Sequence, residues 1–203
     1  MNVGIFQETI FTRGTNLPPS LFIRPMHPKT AIRPKSDAIQ KVLAAGWVGQ
    51  LKIHGHRAQI HIPADREEEI IAFNRQGRVH KKTISDEMIA ELRRIFTPSK
   101  AWNVIDGEWI KGEDKLYVFD FLKREGQSLH RLNFLDRWKQ LPRNYISPCI
   151  RTLGVFHTLI QCLKALEHPN QMQDKFIDKY VEGLVFKSPS PGFQDSSIIR
   201  CRK

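Results

Sequence analysis

The chain is short of cysteine, of long apolar runs and of acid. Only three of its 203 residues are cysteines, Cys149, Cys162 and Cys201. Odd in number and without a Cys-x-x-Cys pair, they suggest neither a disulfide framework nor a structural zinc site, which fits a reducing compartment. No stretch approaches the roughly 20 apolar residues needed to span a bilayer. The N-terminus carries Glu8 and has no apolar core behind a basic start, so it does not read as a signal peptide. A cytoplasmic protein, or a nuclear or virus-associated one, is expected, with no membrane partner. Acid is the third shortage: 21 Asp and Glu stand against 32 Lys and Arg, a net charge of +11. Such an excess favours a polyanionic partner, because phosphate contacts made by Lys and Arg release counterions.

What is present reads as an ordinary globular protein with 40% hydrophobic residues, long enough for one good-sized domain or two small ones. Pro18, Pro19, Pro25, Pro28 and Pro34 break any long helix in residues 1–35, which read as an extended arm packing on a domain of residues 36–203. Ser36 caps a short helix with Ile39, Val42 and Leu43 as its stripe and Gly46 at its end. Ser85 starts another, with Ile84 and Ile89 placed for a staple and Met88, Leu92, Ile95 and Phe96 on one face. Amphipathic spacing predicts further helices over 133–140, 151–167 and about 171–180. Strands are expected over 50–62 with a turn at Gly55, and over 70–73, 104–110, 115–121, 182–187 and 198–203. Alternation puts Arg57, Gln59 and His61 on one strand face, Ala58, Ile60 and Ile62 on the other, and Arg200 and Arg202 on the same side of the last strand.

One lysine organises the chemistry. Lys52 lies between Leu51 and Ile53 on a strand that reads as buried, just before the turn at Gly55. A buried site among cations disfavours the charged form of lysine and turns the neutral amine into a nucleophile. Taken alone, Lys-x-x-Gly is better explained by a strand-edge lysine that snorkels to water. Likewise, Asp106-Gly107-Glu108 alone is a common strand-end turn, and Arg75 and Arg78 singly read as a solvated turn.

Taken together, the motifs say more. Lys52-x-His54-Gly55-x-Arg57, Asp106-Gly107-Glu108, Tyr117-Val118-Phe119-Asp120, Glu182-Gly183-Leu184-Val185-x-Lys187 and Arg200-x-Arg202 occur in order, each on a strand or strand tip. In this they resemble the nucleotidyltransferase motifs of ATP-dependent polynucleotide ligases. Arg24-Pro25-Met26, the segment Phe73–Arg78 and Thr83 are similar to stretches of DNA ligases, so the resemblance covers about residues 21–203. It implies an α+β, ATP-grasp-like nucleotidyltransferase domain of antiparallel sheets flanked by helices, with the nucleotide between them. It implies ATP as the AMP donor and Lys52 as the residue that becomes adenylylated. Lys187, Arg200 and Arg202 would line the phosphate path, with Lys187 and Arg202 acting in catalysis. Glu182 and Glu108 would hold Mg²⁺, a hard cation that takes one or two carboxylates, with the ribose as a second reading for Glu108. Gln50 and Leu51 would lie at the base, which an amide can read from both sides, Arg57 at the ribose or the nick, and Phe119 against the adenine ring. Arg75 and Arg78 would grip the backbone of nicked double-stranded DNA, a contact that positions without specifying sequence.

The chain departs from the family pattern in three places. His54 stands where the first motif has aspartate. Arg200 and Arg202 stand where the last has lysines, keeping the charge but giving up any acid–base role. Family members usually continue into an oligonucleotide-binding barrel, and none is expected in this chain, so a separate barrel or accessory protein is an expected partner. An RNA ligase of the same superfamily is the nearest alternative, and a non-catalytic nucleic-acid-binding relative is the alternative from another class.

Overall fold

The computed structural model describes residues 22–143, 145–174 and 177–203. The expected arm is therefore seen from Phe22 onward, and its residues 1–21 lie outside the described residues. Ten strands and five helices follow: β1 (Thr30–Ile32), α1 (Ser36–Ala44), β2 (Val48–Ile53), β3 (His56–Ile62), β4 (Ile71–Phe73), α2 (Asp86–Phe96), β5 (Asn103–Ile110), β6 (Lys115–Arg124), β7 (Gln127–Ser128), α3 (Phe134–Lys139), β8 (Ile150–Thr152), α4 (Leu159–Glu167), α5 (Pro169–Met172), β9 (Val181–Lys187) and β10 (Ile198–Arg202). They build two sheets. The smaller has the order β1-β10-β9-β2, antiparallel except for β1, and the larger runs β4-β3-β5-β6-β7 with β8 parallel to β6.

Local chemistry sets the helix boundaries. The Ser85 hydroxyl accepts from the Met88 amide at 3.2 Å to open α2, and Asn133 does the same for Asp136 at 2.9 Å to open α3. At α4, Thr158 and Gln161 form a reciprocal capping box. Gly46 takes a φ of +83° where the chain leaves α1, a conformation glycine adopts without steric cost.

Each sheet has its own core. Ala58, Ile60 and Ile62 of β3 pack with Ile105, Val118 and the Met88, Leu92 and Phe96 stripe of α2. Leu51 and Ile53 of β2 pack with Leu184 and Phe186 of β9, Cys201 of β10, Ile39 of α1 and Cys162 of α4. Because strand side chains alternate, each sheet keeps a second face free for polar groups. Residues Ile23–Met26 lie on that face of β3: the Gln59 amide exchanges hydrogen bonds with Ile23 (2.8 and 2.7 Å), and Arg57 donates to the Met26 carbonyl at 3.0 Å.

Ser36 does not cap α1: it is the first helical residue, and Lys35 before it makes no side-chain capping bond. Two further expected helices come out differently. The one over 151–167 forms only from Leu159, because Ile150–Thr152 pairs with Leu116–Val118 and Phe156 bridges Gly49. Leu153 and Phe156 are buried, as their spacing predicts, but in extended chain. In place of a helix over 171–180 there are α5 and a 3-10 turn at Asp178–Tyr180, with residues 175 and 176 outside the described residues. Among the described residues no helix is long and apolar enough to cross a membrane.

Candidate active site

The polar faces of the two sheets meet at a cleft of about 450 Å³. Register decides what the smaller sheet shows it: Val48, Gln50 and Lys52 of β2 pair with Lys187, Val185 and Gly183 of β9, which pair with Ile198, Arg200 and Arg202 of β10. These positions share a face, and Gln50, Lys52, Val185, Lys187, Ile198, Arg200 and Arg202 all line the cleft. Gly183 sits across from Lys52 with a φ of +145°, where a Cβ would lie 2.0 Å from the Cys201 carbonyl oxygen.

The larger sheet contributes Arg57, Glu108 and Phe119. Arg57 pairs across the ladder with Glu108 and makes a bidentate ion pair with the neighbouring Asp106, its Nε 3.0 Å from Oδ1. Phe119 is placed by a register shift: Gly107 pairs with Val118 and Asp106 with Asp120, so Phe119 has no partner on β5. An unpaired residue of this kind re-aims its side chain. Its ring lies beneath two cations, Arg57 at 5.3 Å and Lys187 at 4.9 Å.

A second register shift places Glu182. Lys52 pairs with Gly183 and Ile53 with Val181, leaving Glu182 unpaired on β2. Its carboxylate accepts from Lys52 Nζ on one oxygen and lies 2.6 Å from His54 Nδ1 on the other, with Arg202 Nη2 at 3.7 Å. Burial alone would push the Glu182 carboxyl up, but the bonds from Lys52 and His54 hold it below the usual carboxylate value. Glu108 goes the other way, pushed up to about 7 by burial against the opposing pull of Arg57 and Lys52. Lys187 is 3% exposed, and burial pulls its amine down to about 8 against the attraction of Asp120. Asp120 is itself held by a buried bidentate pair with Arg137 of α3, both contacts at 2.9 Å.

Among the described residues lining the cleft, one buried polar atom has no partner. Gln50 is 1% exposed and its Oε1 has no partner, while its Nε2 reaches the Phe119 and Leu153 carbonyls only at 3.5 Å. A buried acceptor left unpaired is costly, so this amide fits a ligand that brings a donor.

Of the expected site residues, Gln50, Leu51, Lys52, Arg57, Arg75, Glu108, Phe119, Glu182, Lys187, Arg200 and Arg202 line this one cleft. Arg78 does not: it is exposed, and its backbone closes the turn on Asn74. Sequence reasoning missed Asp106 as the anchor of Arg57, although its place two residues before Glu108 on one strand face was readable. It also missed His27, His56 and His80 at the cleft, for which the sequence holds no signal.

The fold and the cleft together define the class, a nucleotidyltransferase domain of the ligase type. A family model described as RNA ligase matches residues 45–200. The chain belongs to the RNA ligase family. Among solved structures it is similar to mycobacterial DNA ligase D complexed with ATP and MES, at 15% identity over 87% of this chain and 60% of that one, with a TM-score of 0.47. It is similar also to the ligase domain from M. tuberculosis LigD, at 16% identity over 86% and 58%, TM-score 0.48. A third structure, called Pmar-Lig_Pre, is 18% identical over 89% of this chain and 47% of that one, with a TM-score of 0.51, and shares the fold. The chain thus spans between about half and three fifths of the length of these structures. No curated protein matches it.

Proposed function

We propose that this domain catalyses ATP-dependent polynucleotide ligation through a lysyl–AMP bond at Lys52, sealing nicks in DNA. The observation that carries the reading is a lysine held by a glutamate inside a cationic cleft that also offers an unpartnered amide oxygen at its floor. Gln50 Oε1 would accept from the exocyclic amine of adenine, a group guanine lacks at that position. Phe119 would stack on the base, and Arg57 would hold the ribose or the nick.

The chemistry follows from the neighbours. Lys52 gives up a proton, for which Glu182 is the nearest acceptor, and attacks the α-phosphorus of ATP. The α–β phosphoanhydride bond breaks and pyrophosphate leaves. A 5′-phosphate oxygen then displaces Lys52 from AMP, and a 3′-hydroxyl displaces AMP to close the backbone. Lys187, Arg200 and Arg202 counter the charge that builds on phosphate in each step. Mg²⁺ fits the residues present: Glu182 and Glu108 are hard oxygen donors lining one cleft. Those two residues would hold it, and when bound it supplies charge neutralisation to the phosphates. Arg75 at the cleft mouth, with Arg78 beyond it, would grip the strand backbone, and a barrel domain or accessory protein would complete the wrap around the duplex.

RNA is the second reading, favoured by the family match. Presenting pre-adenylylated nicks in a DNA duplex and in an RNA duplex to the same protein separates the two. Preferential sealing of DNA is expected, preferential sealing of RNA moves the assignment to an RNA ligase, and sealing of neither contradicts the proposal.

A further inference from the structure

We infer that His54 is a positioning residue for the nucleophile: its Nδ1 donates to one oxygen of Glu182 and thereby aims the other at Lys52. The inference rests on the lysyl–AMP reading and adds to it a specific device of this chain. His54 Nδ1 and Glu182 Oε1 are 2.6 Å apart, and Lys52 Nζ is bonded to Oε2 of the same carboxylate. A carboxylate paired in this way can only accept, so the hydrogen of that short contact sits on the imidazole. Hydrogen bonds to an ionised group are roughly twice as strong as neutral ones.

The backbone makes this bond matter. Glu182 falls at the register shift between β2 and β9 and has no partner on β2, while on the other side the Lys203 amide holds only its backbone carbonyl at 3.0 Å. Its side chain is set by what it binds, and His54 is the group on the side away from Lys52. His54 is itself anchored, its amide donating to the Tyr180 carbonyl at 2.7 Å, while its ring is 75% exposed at the rim. The charged and titratable groups around the pair are Lys52 and Arg202 at Glu182, Glu108 across the cleft, and His56 beside His54. An aspartate at position 54 would set a second carboxylate against Glu182, with no donor between them. The histidine supplies an N–H donor in its place, so one oxygen of Glu182 is tied to the ring while the other faces Lys52.

Three variants test this, because asparagine places an amide N–H near the position of Nδ1, alanine places nothing and aspartate places a like charge. Self-adenylylation is read as a rate at saturating ATP and as a KM for ATP. His54→Asn should stay within about threefold of wild type, while His54→Ala and His54→Asp should slow the saturated rate by roughly tenfold with little change in KM, the size of one charge-assisted hydrogen bond. An alanine or aspartate variant as fast as wild type, or an asparagine variant as slow as alanine, overturns the inference. Nitrogen-15 spectra of the imidazoles read the same bond without turnover. A His54 ring protonated at Nδ1 that shifts to Nε2 in Glu182→Ala is expected, and a wild-type ring protonated at Nε2 alone overturns it. Wild type that takes no label while its His54 shows the expected ring form would count against the lysyl–AMP reading and leave the positioning contact standing.

Discussion

Lys187 carries a charge into a nearly dry place. It is 3% exposed, with its Nζ 4.9 Å from the rings of both Phe119 and Phe134. Burial lowers its amine from 10.5 to about 8, with Asp120 opposing. The sign follows from proton counting. Between about pH 8 and 10.5 the unfolded chain holds this proton and the folded chain does not, so this residue's contribution to stability rises with pH through that window. Below it the cost of burying the charge is present in full, on the order of 3 kcal/mol. Replacing the amine with an apolar chain of similar length removes the cost. Lys187→Met should therefore be more stable than wild type at pH 7, with the difference shrinking as pH rises from about 8 to 10.5, as measured by urea unfolding at each pH. A difference that stays constant with pH would show that the lysine is not desolvated. At this scale the sequence was informative, since residue type and motif order brought eleven expected side chains to one cleft. It was silent on His54 as a partner of Glu182, because that contact joins residues 128 positions apart.

Elements put those residues in place, and two of them do so by breaking their own pattern. Strict alternation along β2 and β10 gives Gln50, Lys52, Arg200 and Arg202 their common face, and that much was legible from spacing alone. Phe119 and Glu182 were legible only as motif members, because each occupies a register shift that alternation does not encode. The segment 151–158 was misread for a related reason: Leu153 and Phe156 have helical spacing, but β6 and Gly49 offer them strand partners that a single sequence does not display. Gly183 is where the element is least tolerant. A methyl there meets the Cys201 carbonyl oxygen at 2.0 Å, on a φ of +145° that side chains rarely adopt. Gly183→Ala should destabilise the protein by at least about 2 kcal/mol in denaturant unfolding and lower adenylylation through Lys52 opposite. Unchanged stability would mean that β9 and β10 can separate without cost. The Asp120–Arg137 pair makes a similar demand on β6 and α3. Arg137→Met takes the bidentate partner from a buried carboxylate, leaving it the Phe121 amide at 2.9 Å and the attraction of Lys187, and should cost about 3–5 kcal/mol, whereas adding Asp120→Leu should recover much of that loss. A double variant no better than the single one would contradict this account of the pair.

For the whole molecule, charge is the governing quantity. A net +11 on 203 residues, with cations lining the cleft and Arg75 at its mouth, fits a partner that is a continuous polyanion. Affinity for nicked duplex should fall linearly on a log–log plot against salt, and Arg75→Ala should lessen the slope by roughly 0.9, the value of one phosphate contact on duplex DNA. A slope that does not change with this variant would place the strand elsewhere. Binding itself should survive Lys52→Ala, since that residue is reserved for the nucleotide.

Incubation with α-labelled ATP or GTP and Mg²⁺, followed by a denaturing gel and by mapping of the labelled peptide, tests the central claim most directly. The account predicts covalent label from ATP, little from GTP, acid-labile attachment within the peptide that contains Lys52, and complete loss in Lys52→Ala. Label that persists in Lys52→Ala, or that comes from GTP in preference to ATP, would contradict it.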